Sequence, residues 1–379
     1  MDFELCVKTK VHFGTNILEK ALIAEKENIY GKVLIVTTGR SLIKNGYVDT
    51  LCRILRMNEN VDQVLVYDKI SGNPKLVEVK EAVDIGKKSG VNIIIGFGGG
   101  SAIDAAKAVA VGVGTEEHIE EFLFDGKEPG AETLPIIAIP TTAGTGSELS
   151  KGAIITSTER KVKAGIRGAN ILPSIAIVDS SYTVTVPEKI SMETGFDVMA
   201  HAIESYVSTK ANAFSEMLSE KAIQIVAKYL PAIKNDLHDI GAREQLSYAS
   251  MIMGINLANV GTCLPHRMQY PIGGVTESSH AAGLVALYPS WIYHQYSVNE
   301  TKINKVLQCM GLGYVESAEE TKEQFKYFMD SLGLNYTLKE IGISGENIDI
   351  LCEKVTGNLQ NDKLANTQDI IKSIYLESL

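Results

Sequence analysis

The chain has 379 residues, 45% of them hydrophobic and 22% charged, which describes an ordinary globular protein too long for one comfortable core, so two domains are expected. A net charge of −10 argues against nucleic acid or an anionic membrane as partner, and no apolar run is long enough to span a bilayer. The opening MDFELC does not read as a signal peptide, and five scattered cysteines (Cys6, Cys52, Cys263, Cys309 and Cys352) without a C-x-x-C unit read as reduced thiols of a cytoplasmic protein, not as a thiolate metal site.

Taken in chain order, residues 32–37 (KVLIVT) and 62–67 (DQVLVY) read as short apolar strands, and Val77–Lys88 (VEVKEAVDIGKK) reads as a helix. A third strand at 92–97 runs straight into Gly96, Gly98, Gly99 and Gly100. The stretch Ser101–Lys107 then opens a helix, with Ser101 as the expected N-cap. Strand, glycine turn and helix N-terminus together suit an anionic phosphate, because bare N–H groups and the helix dipole point at it and glycine admits close approach. A glycine cluster after a strand is also ordinary turn chemistry. Leu134–Glu148 (LPIIAIPTTAGTGSE) repeats the logic with a strand and a hydroxyl-rich loop. The hydroxyls of Thr141, Thr142, Thr145 and Ser147 can bond phosphate, ribose or an amide, although any polar loop looks similar. Residues 175–179 (IAIVD) form the last strand signal, and the strand–helix alternation predicts a doubly wound, mainly parallel sheet.

Beyond Tyr182–Pro187 strand signals vanish and long amphipathic runs follow, including Ala213–Leu230 and Glu244–Leu257. The expected division is therefore an α/β domain at 1–183 and an all-helical domain at 184–379. Within the helical part, GFDVMAHAIE (Gly195–Glu204) places Asp197 and His201 four residues apart, on one helix face. Alone, such a pair is more often a surface hydrogen bond or a cap. PHRMQYPIGGVTESSH (Pro265–His280) adds His266 and His280, and one carboxylate with three imidazoles makes a complete ligand set for a divalent metal such as Zn²⁺ or Fe²⁺.

These segments resemble the iron-containing (group III) alcohol dehydrogenase family. The motifs are DKISGNP (Asp68–Pro74), GGGSAIDAAK (Gly98–Lys107), PTTAGTGSE (Pro140–Glu148), IAIVD (Ile175–Asp179) and TGFDVMAHAIESYVS (Thr194–Ser208), followed by the His266/His280 pair. The resemblance implies a Rossmann-like N-terminal domain and an all-α C-terminal domain, the architecture shared with dehydroquinate synthase, with metal and nicotinamide in the cleft between. It implies Asp197, His201, His266 and His280 as ligands of Fe²⁺ (or Zn²⁺). It puts Gly98, Gly99, Gly100 and Ser101 on the cofactor phosphate, Asp104 on the cofactor side, and Thr141, Thr142 and Thr145 along the cofactor, with Asp68 and Ser147 in the matching motifs. The implied reaction passes hydride between a nicotinamide and a small alcohol or aldehyde whose oxygen the metal polarises. A cytoplasmic homo-oligomer, a dimer, is the corresponding expectation.

Three departures from the family pattern bear on cofactor and substrate. Tyr270 stands where many members carry a second, proton-relaying histidine, and a phenol with an ordinary pKa near ~10 relays protons poorly at neutral pH. The turn after the first strand holds Thr38, Gly39 and Arg40 where NAD-preferring members often place an Asp. Arg40 could meet a 2′-phosphate, so NADP(H) is expected ahead of NAD(H). Lys151 and Arg267 put cations beside motifs that should line the active site, where they could hold a substrate carboxylate, phosphate or phosphonate, or else pair outward with Glu148 or Glu277. An anionic aldehyde or oxoacid is thus an expected substrate. A hydroxyacid–oxoacid transhydrogenase and a glycerol dehydrogenase-like zinc enzyme stand as alternatives. The C-terminal stretch Thr356–Lys372 lacks the family's Asn-Pro-Arg; its Asn358 and Asn361 could touch substrate, although polar loops before a helix usually serve as caps.

Overall fold

A computed structural model describes residues 3–276, 278–364 and 367–379. Glu277, one alternative partner for Arg267, lies outside the described residues. The chain forms two compact units. One is Cys6–Val184, and the other is Thr185–Leu379 together with the described residues up to Leu5.

The first unit contains β1 (Lys10–Gly14), α1 (Leu18–Ala24), β2 (Gly31–Thr37), α2 (Arg40–Lys44), α3 (Tyr47–Arg56), β3 (Val61–Tyr67), α4 (Leu76–Ser89), β4 (Ile93–Gly98), α5 (Gly100–Gly114), α6 (Ile119–Phe124), β5 (Ile136–Pro140), β6 (Gly152–Ser157), β7 (Val162–Arg167) and β8 (Ile175–Asp179). Six strands form a parallel sheet in the order β1-β8-β5-β4-β2-β3. Alternate residues of its central strands serve two cores. Leu34, Val36, Ile94 and Ile136 pack with α4, α5 and α6, whereas Val33, Ile35, Ile93, Ile95 and Ile139 pack with α1 and α3. Helices thus cover both faces, the doubly wound arrangement in which strands buried on both sides become continuous aliphatic runs.

Chain order reverses between β2 and β4, because β3 lies outside β2 and β4 returns to its other side. In such sheets the carboxyl ends of the strands at that reversal form a ligand-binding crevice. α5 lies close over β4 because Gly96 has no side chain: a Cβ there would come within 2.9 Å of Ala106 Cβ and 3.0 Å of Ile103 Cα. Two features escaped the sequence reading. β1 pairs with β8 at one sheet edge, and β6 and β7 form a separate antiparallel hairpin that buries Ala153, Ile155 and Ile166 beside α5. One expectation is corrected. The N-cap of α5 is Gly99, Ser101 already lies inside the helix, and its hydroxyl donates to Gly72 O at 2.6 Å.

The second unit contains α7 (Glu188–Val207), α8 (Ala213–Asn235), α9 (Ile240–Asn259), α10 (Leu264–Val275), α11 (His280–Cys309), α12 (Ala318–Ser331), α13 (Ile348–Glu353) and α14 (Gln368–Glu377). Every residue of α7 from Gly195 to Val207 is buried, as expected of a helix surrounded by others. Gly195 lets α8 approach, since a Cβ there would collide with the Leu230 side chain. α8 runs through Pro231 to Asn235, past the Leu230 end expected from sequence, and α11 bends at Asn299. No described helix is long and apolar enough to cross a membrane.

Candidate metal centre and nucleotide cradle

The helical unit gathers the four expected ligands from three helices. Asp197 and His201 share one face of α7, His266 lies in the first turn of α10, and His280 is the first residue of α11. Asp197, His201 and His266 are buried, and each offers a ligand atom within 4.8 Å of the others. Asp197 Oδ1 stands 3.6 Å from His201 Nε2, 3.4 Å from His266 Nε2 and 3.8 Å from His280 Nε2. Two of these atoms, Asp197 Oδ1 and His266 Nε2, are buried without any hydrogen bond. Buried polar atoms are normally satisfied, so orphaned lone pairs aimed at one point are what a metal-ligand set presents. The residues therefore fit a divalent ion held by nitrogen and oxygen.

His266 and His280 are each braced from behind. Glu204 Oε1 is 2.7 Å from His266 Nδ1, and Gln269 Oε1 is 2.5 Å from His280 Nδ1. These contacts leave the Nε2 atoms to face Asp197. Burial alone would raise the Asp197 carboxyl, but the imidazoles of His201, His266 and His280 outweigh it and hold the group below the usual carboxylate range. Burial would likewise lower His266, yet the carboxylates of Glu204 and Asp197 push it up to about 10. A field that holds a proton so firmly also favours a metal cation in its place.

The N-terminus of α10 is fixed by carboxylates from distant segments. Glu204 Oε2 accepts the Cys263 N–H, and Asp362 Oδ2 accepts the Leu264 N–H. Asn361 donates to Val260 O and Thr262 O, and Asn358 donates to Asn361 Oδ1. The C-terminal asparagines considered for substrate contact thus brace the start of α10 instead.

Arg267 follows His266 and points inward, with only 8% of its surface exposed. Its Nε has no hydrogen-bond partner, and no carboxylate among the described residues pairs with the guanidinium. Nη1 reaches the Tyr270 hydroxyl at a long 3.4 Å, and the guanidinium carbon sits 5.6 Å from the Tyr270 ring centre. The Tyr270 ring in turn lies nearly parallel to His280, centroids 6.5 Å apart. Gly357 covers the arginine stem, and a Cβ there would come within 3.2 Å of Arg267 Cδ. Lys151, the second cation of the sequence reading, lies in the other unit and is exposed.

The α/β unit gathers the expected cofactor residues at the carboxyl edge of its sheet. Gly98 has φ +151°, and a Cβ on it would meet Ala102. The first bonds accepted in α5 come from Ala102 and Ile103 to Gly99 O, so the N–H groups of Gly100 and Ser101 lack helical partners. The loop after β5 wraps this turn. Thr141 N donates to Gly98 O, a Cβ on Gly99 would come within 3.2 Å of Thr142 Oγ1, and one on Gly100 within 2.5 Å of Thr145 Cγ2. Thr38, Gly39 and Arg40 follow β2 on the other side of the chain reversal. Gly39, at φ +76°, presses against the Asp68 backbone, where a Cβ would lie 2.5 Å from Asp68 O. Arg40 and Asp68 are both exposed.

Asp104 and Ser147 occupy the same neighbourhood but use their polar atoms internally. Asp104 Oδ1 accepts the Ser147 hydroxyl at 2.5 Å, and Oδ2 accepts the Ile154 N–H at 2.9 Å. Beside them Lys107 is fully buried and donates to Ser147 Oγ, Ser150 O and Gly152 O. Burial pushes the Lys107 ammonium down to about 8 against the pull of Asp104 and Glu148, and pushes Glu148 up to about 7 and Asp104 upward as well. The sequence reading passed over Lys107, although it ends the quoted GGGSAIDAAK motif. It also passed over Glu204, which ends GFDVMAHAIE, and Gln269, three residues after His266.

Residues 8–180 match the family model for iron-containing alcohol dehydrogenase, and residues 191–379 match the C-terminal model of the same family. The NADH-dependent butanol dehydrogenase A of Clostridium acetobutylicum is 28% identical, with 98% of each chain covered. Among solved structures, a 1,3-propanediol oxidoreductase superposes with a TM-score of 0.92 at 26% identity, covering all of both chains. A sulfoacetaldehyde reductase from Bifidobacterium kashiwanohense, in complex with NAD⁺, superposes with a TM-score of 0.86 at 25% identity, covering 100% of this chain and 98% of its own.

Proposed function

From membership of the iron-containing alcohol dehydrogenase family, to which this chain belongs, we propose that it transfers hydride between NAD(P)(H) and a small aldehyde or alcohol bearing an anionic group. The observation that carries the substrate reading is Arg267, a buried guanidinium adjacent to ligand His266 with no carboxylate partner among the described residues. Burying an unpaired cation is costly, and a substrate anion would supply the missing partner. The sulfoacetaldehyde reductase neighbour, by its name, acts on an aldehyde that carries a sulfonate, which supports the same class.

Asp197, His201, His266 and His280 would hold the ion, Fe²⁺ on family grounds. When bound, it supplies Lewis acidity at the substrate oxygen. Glu204 and Gln269 keep the His266 and His280 rings oriented. Arg267 binds the acidic end of the substrate, and Tyr270 orients Arg267 through its hydroxyl, its ring centre 6.5 Å from that of His280. On the α/β unit, the free N–H groups of Gly100 and Ser101 take the pyrophosphate, and Thr141, Thr142 and Thr145 line its path.

Arg40, exposed at the first residue of α2, supports NADP(H), because a guanidinium there suits a 2′-phosphate. A second reading, NAD(H), is favoured by the NADH and NAD⁺ named for the relatives, with Asp68, which follows β3, lying beside Gly39 after β2. Arg40→Ala separates the two. It should weaken NADPH by roughly 1.5–3 kcal/mol and leave NADH unchanged if Arg40 meets a phosphate. Equal effects on both cofactors leave NAD(H). A homodimer is proposed on the family resemblance alone, to be checked by light scattering.

The central test is metal analysis of protein purified without air, joined to nicotinamide oxidation with propanal and butanal against sulfonated, carboxylated and phosphonated analogues of equal length. Bound divalent metal and a strong preference for the acidic aldehydes are expected. Equal turnover of the neutral aldehydes would refute the anionic assignment and leave a general aldehyde reductase.

A further inference from the structure

Glu204 is fully buried on α7, within one turn of His201. One oxygen faces His266 Nδ1 at 2.7 Å, and the other accepts the Cys263 N–H at 2.8 Å. Among the described residues no lysine or arginine pairs with it. A carboxylate buried this deeply needs a compensating positive charge, and the group it faces is an imidazole whose other nitrogen points at Asp197.

Charge counting identifies the source of compensation. Three neutral imidazoles and Asp197 bring one negative charge to a divalent ion, which leaves one positive charge uncompensated in a buried site. Glu204 reduces that remainder to zero. Gln269 braces His280 through the same kind of contact but carries no charge. The two braces therefore differ in kind: the amide orients its imidazole, and the carboxylate both orients and neutralises.

We propose that Glu204 is the charge-balancing positioning residue of the metal centre, setting the tautomer of His266 and supplying the second negative charge that tunes the site to a divalent cation. The inference rests on the four-ligand reading above, and the experiment separates the two. Metal-free protein is titrated with Co²⁺ against a chromophoric chelator, for wild type, Glu204→Gln, Gln269→Glu and the double variant, with far-UV circular dichroism as a folding control. Failure of the wild type to bind Co²⁺ would overturn the four-ligand reading itself.

If wild type binds, Glu204→Gln should bind about 10- to 100-fold more weakly, the range found when a group supporting a metal ligand is lost. Glutamine offers one acceptor oxygen where Glu204 offers two, so it serves the Cys263 N–H or His266 Nδ1–H but not both, and the double variant separates the charge from the orientation. Adding Gln269→Glu to Glu204→Gln returns the charge through His280 but not the contact to His266, and should recover at least about threefold of the lost affinity. Gln269→Glu alone keeps Glu204 and the Cys263 contact; in a site that Glu204 already neutralises a further carboxylate has no charge left to balance, so Co²⁺ affinity should change less than about threefold, and this variant decides the matter should Glu204→Gln not fold. Wild-type affinity in Glu204→Gln, no recovery in the double variant, or a gain of about tenfold or more in Gln269→Glu would each overturn the proposal.

Discussion

Replacing Arg267 by methionine separates a binding role from a structural one, because the two roles predict opposite results. The side chain is 8% exposed, its Nε is unsatisfied, and its nearest polar contact is a long 3.4 Å to the Tyr270 hydroxyl. If Arg267 were structural, removing it would break useful contacts and destabilise the fold. The geometry predicts otherwise. Methionine retains an unbranched stem beneath Gly357 and removes a buried charge without a partner, so stability should be unchanged or rise, by about 0–3 kcal/mol. A charge-assisted hydrogen bond to a substrate anion contributes about 1.5–3 kcal/mol, which converts to roughly 10- to 150-fold in affinity. That loss should fall on KM with kcat nearly constant, because a contact remote from the reacting carbon binds ground and transition states alike. Neutral aldehydes should be unaffected or improved. The assay is steady-state reduction of acidic and neutral aldehydes of matched length, beside urea unfolding of both proteins. Marked destabilisation with an unchanged acidic-to-neutral ratio would refute the reasoning and make Arg267 a packing residue.

Further outcomes follow from the same geometry. Asp197→Ala and His266→Ala should each lose the metal on dialysis and abolish turnover while dinucleotide binding persists; metal content measured by mass spectrometry would decide. Gly100→Val should raise the dinucleotide KM at least about tenfold, since even its Cβ meets Thr145 at 2.5 Å, whereas Gly99→Ala, with 3.2 Å to the Thr142 hydroxyl, should cost less. Equal cofactor affinities, read by fluorescence titration, would remove the cradle assignment. Glu148→Gln tests the buried polar cluster by pH. Burial raises the folded-state pKa of Glu148 from an ordinary 4.5 to about 7, so the wild type's stability is favoured fully below pH 4.5 and that contribution is lost as pH rises through about 7. The glutamine variant should therefore be the more stable protein at pH 8, by up to about 3 kcal/mol, with the difference closing near pH 5. A gap independent of pH would mean that Glu148 is ionised throughout.

Much of this molecule was legible in the chain. Aliphatic runs such as KVLIVT and NIIIGF announce strands buried on both faces, because a parallel sheet covered by helices leaves no face for polar residues. The spacing of Asp197 and His201, with His266 and His280 further on, pointed to a ligand set, because helical periodicity is a property of the chain itself. The weak strands were not legible. β1 (KVHFG) and β7 are mostly half-exposed and β6 is buried only at alternate residues, so none shows a continuous aliphatic run and their pairing depends on the rest of the fold. The role of each polar side chain was equally hidden. Ser101 read as a cap and instead bonds Gly72 O, because Gly99 already occupies the cap position. Asp104 was expected on the cofactor side, yet its carboxylate holds Ser147 and Ile154 N–H. Glu204 gave no signal at all: on a helix, a carboxylate three residues after a histidine looks the same whether it faces water or a metal ligand. Only the fold brings Cys263 and His266, some sixty residues onward, against its two oxygens. The period of a helix or strand is written locally, whereas the partner of a buried charge is set by whatever the rest of the chain packs beside it, and that decides whether the charge is structural, catalytic or intolerable.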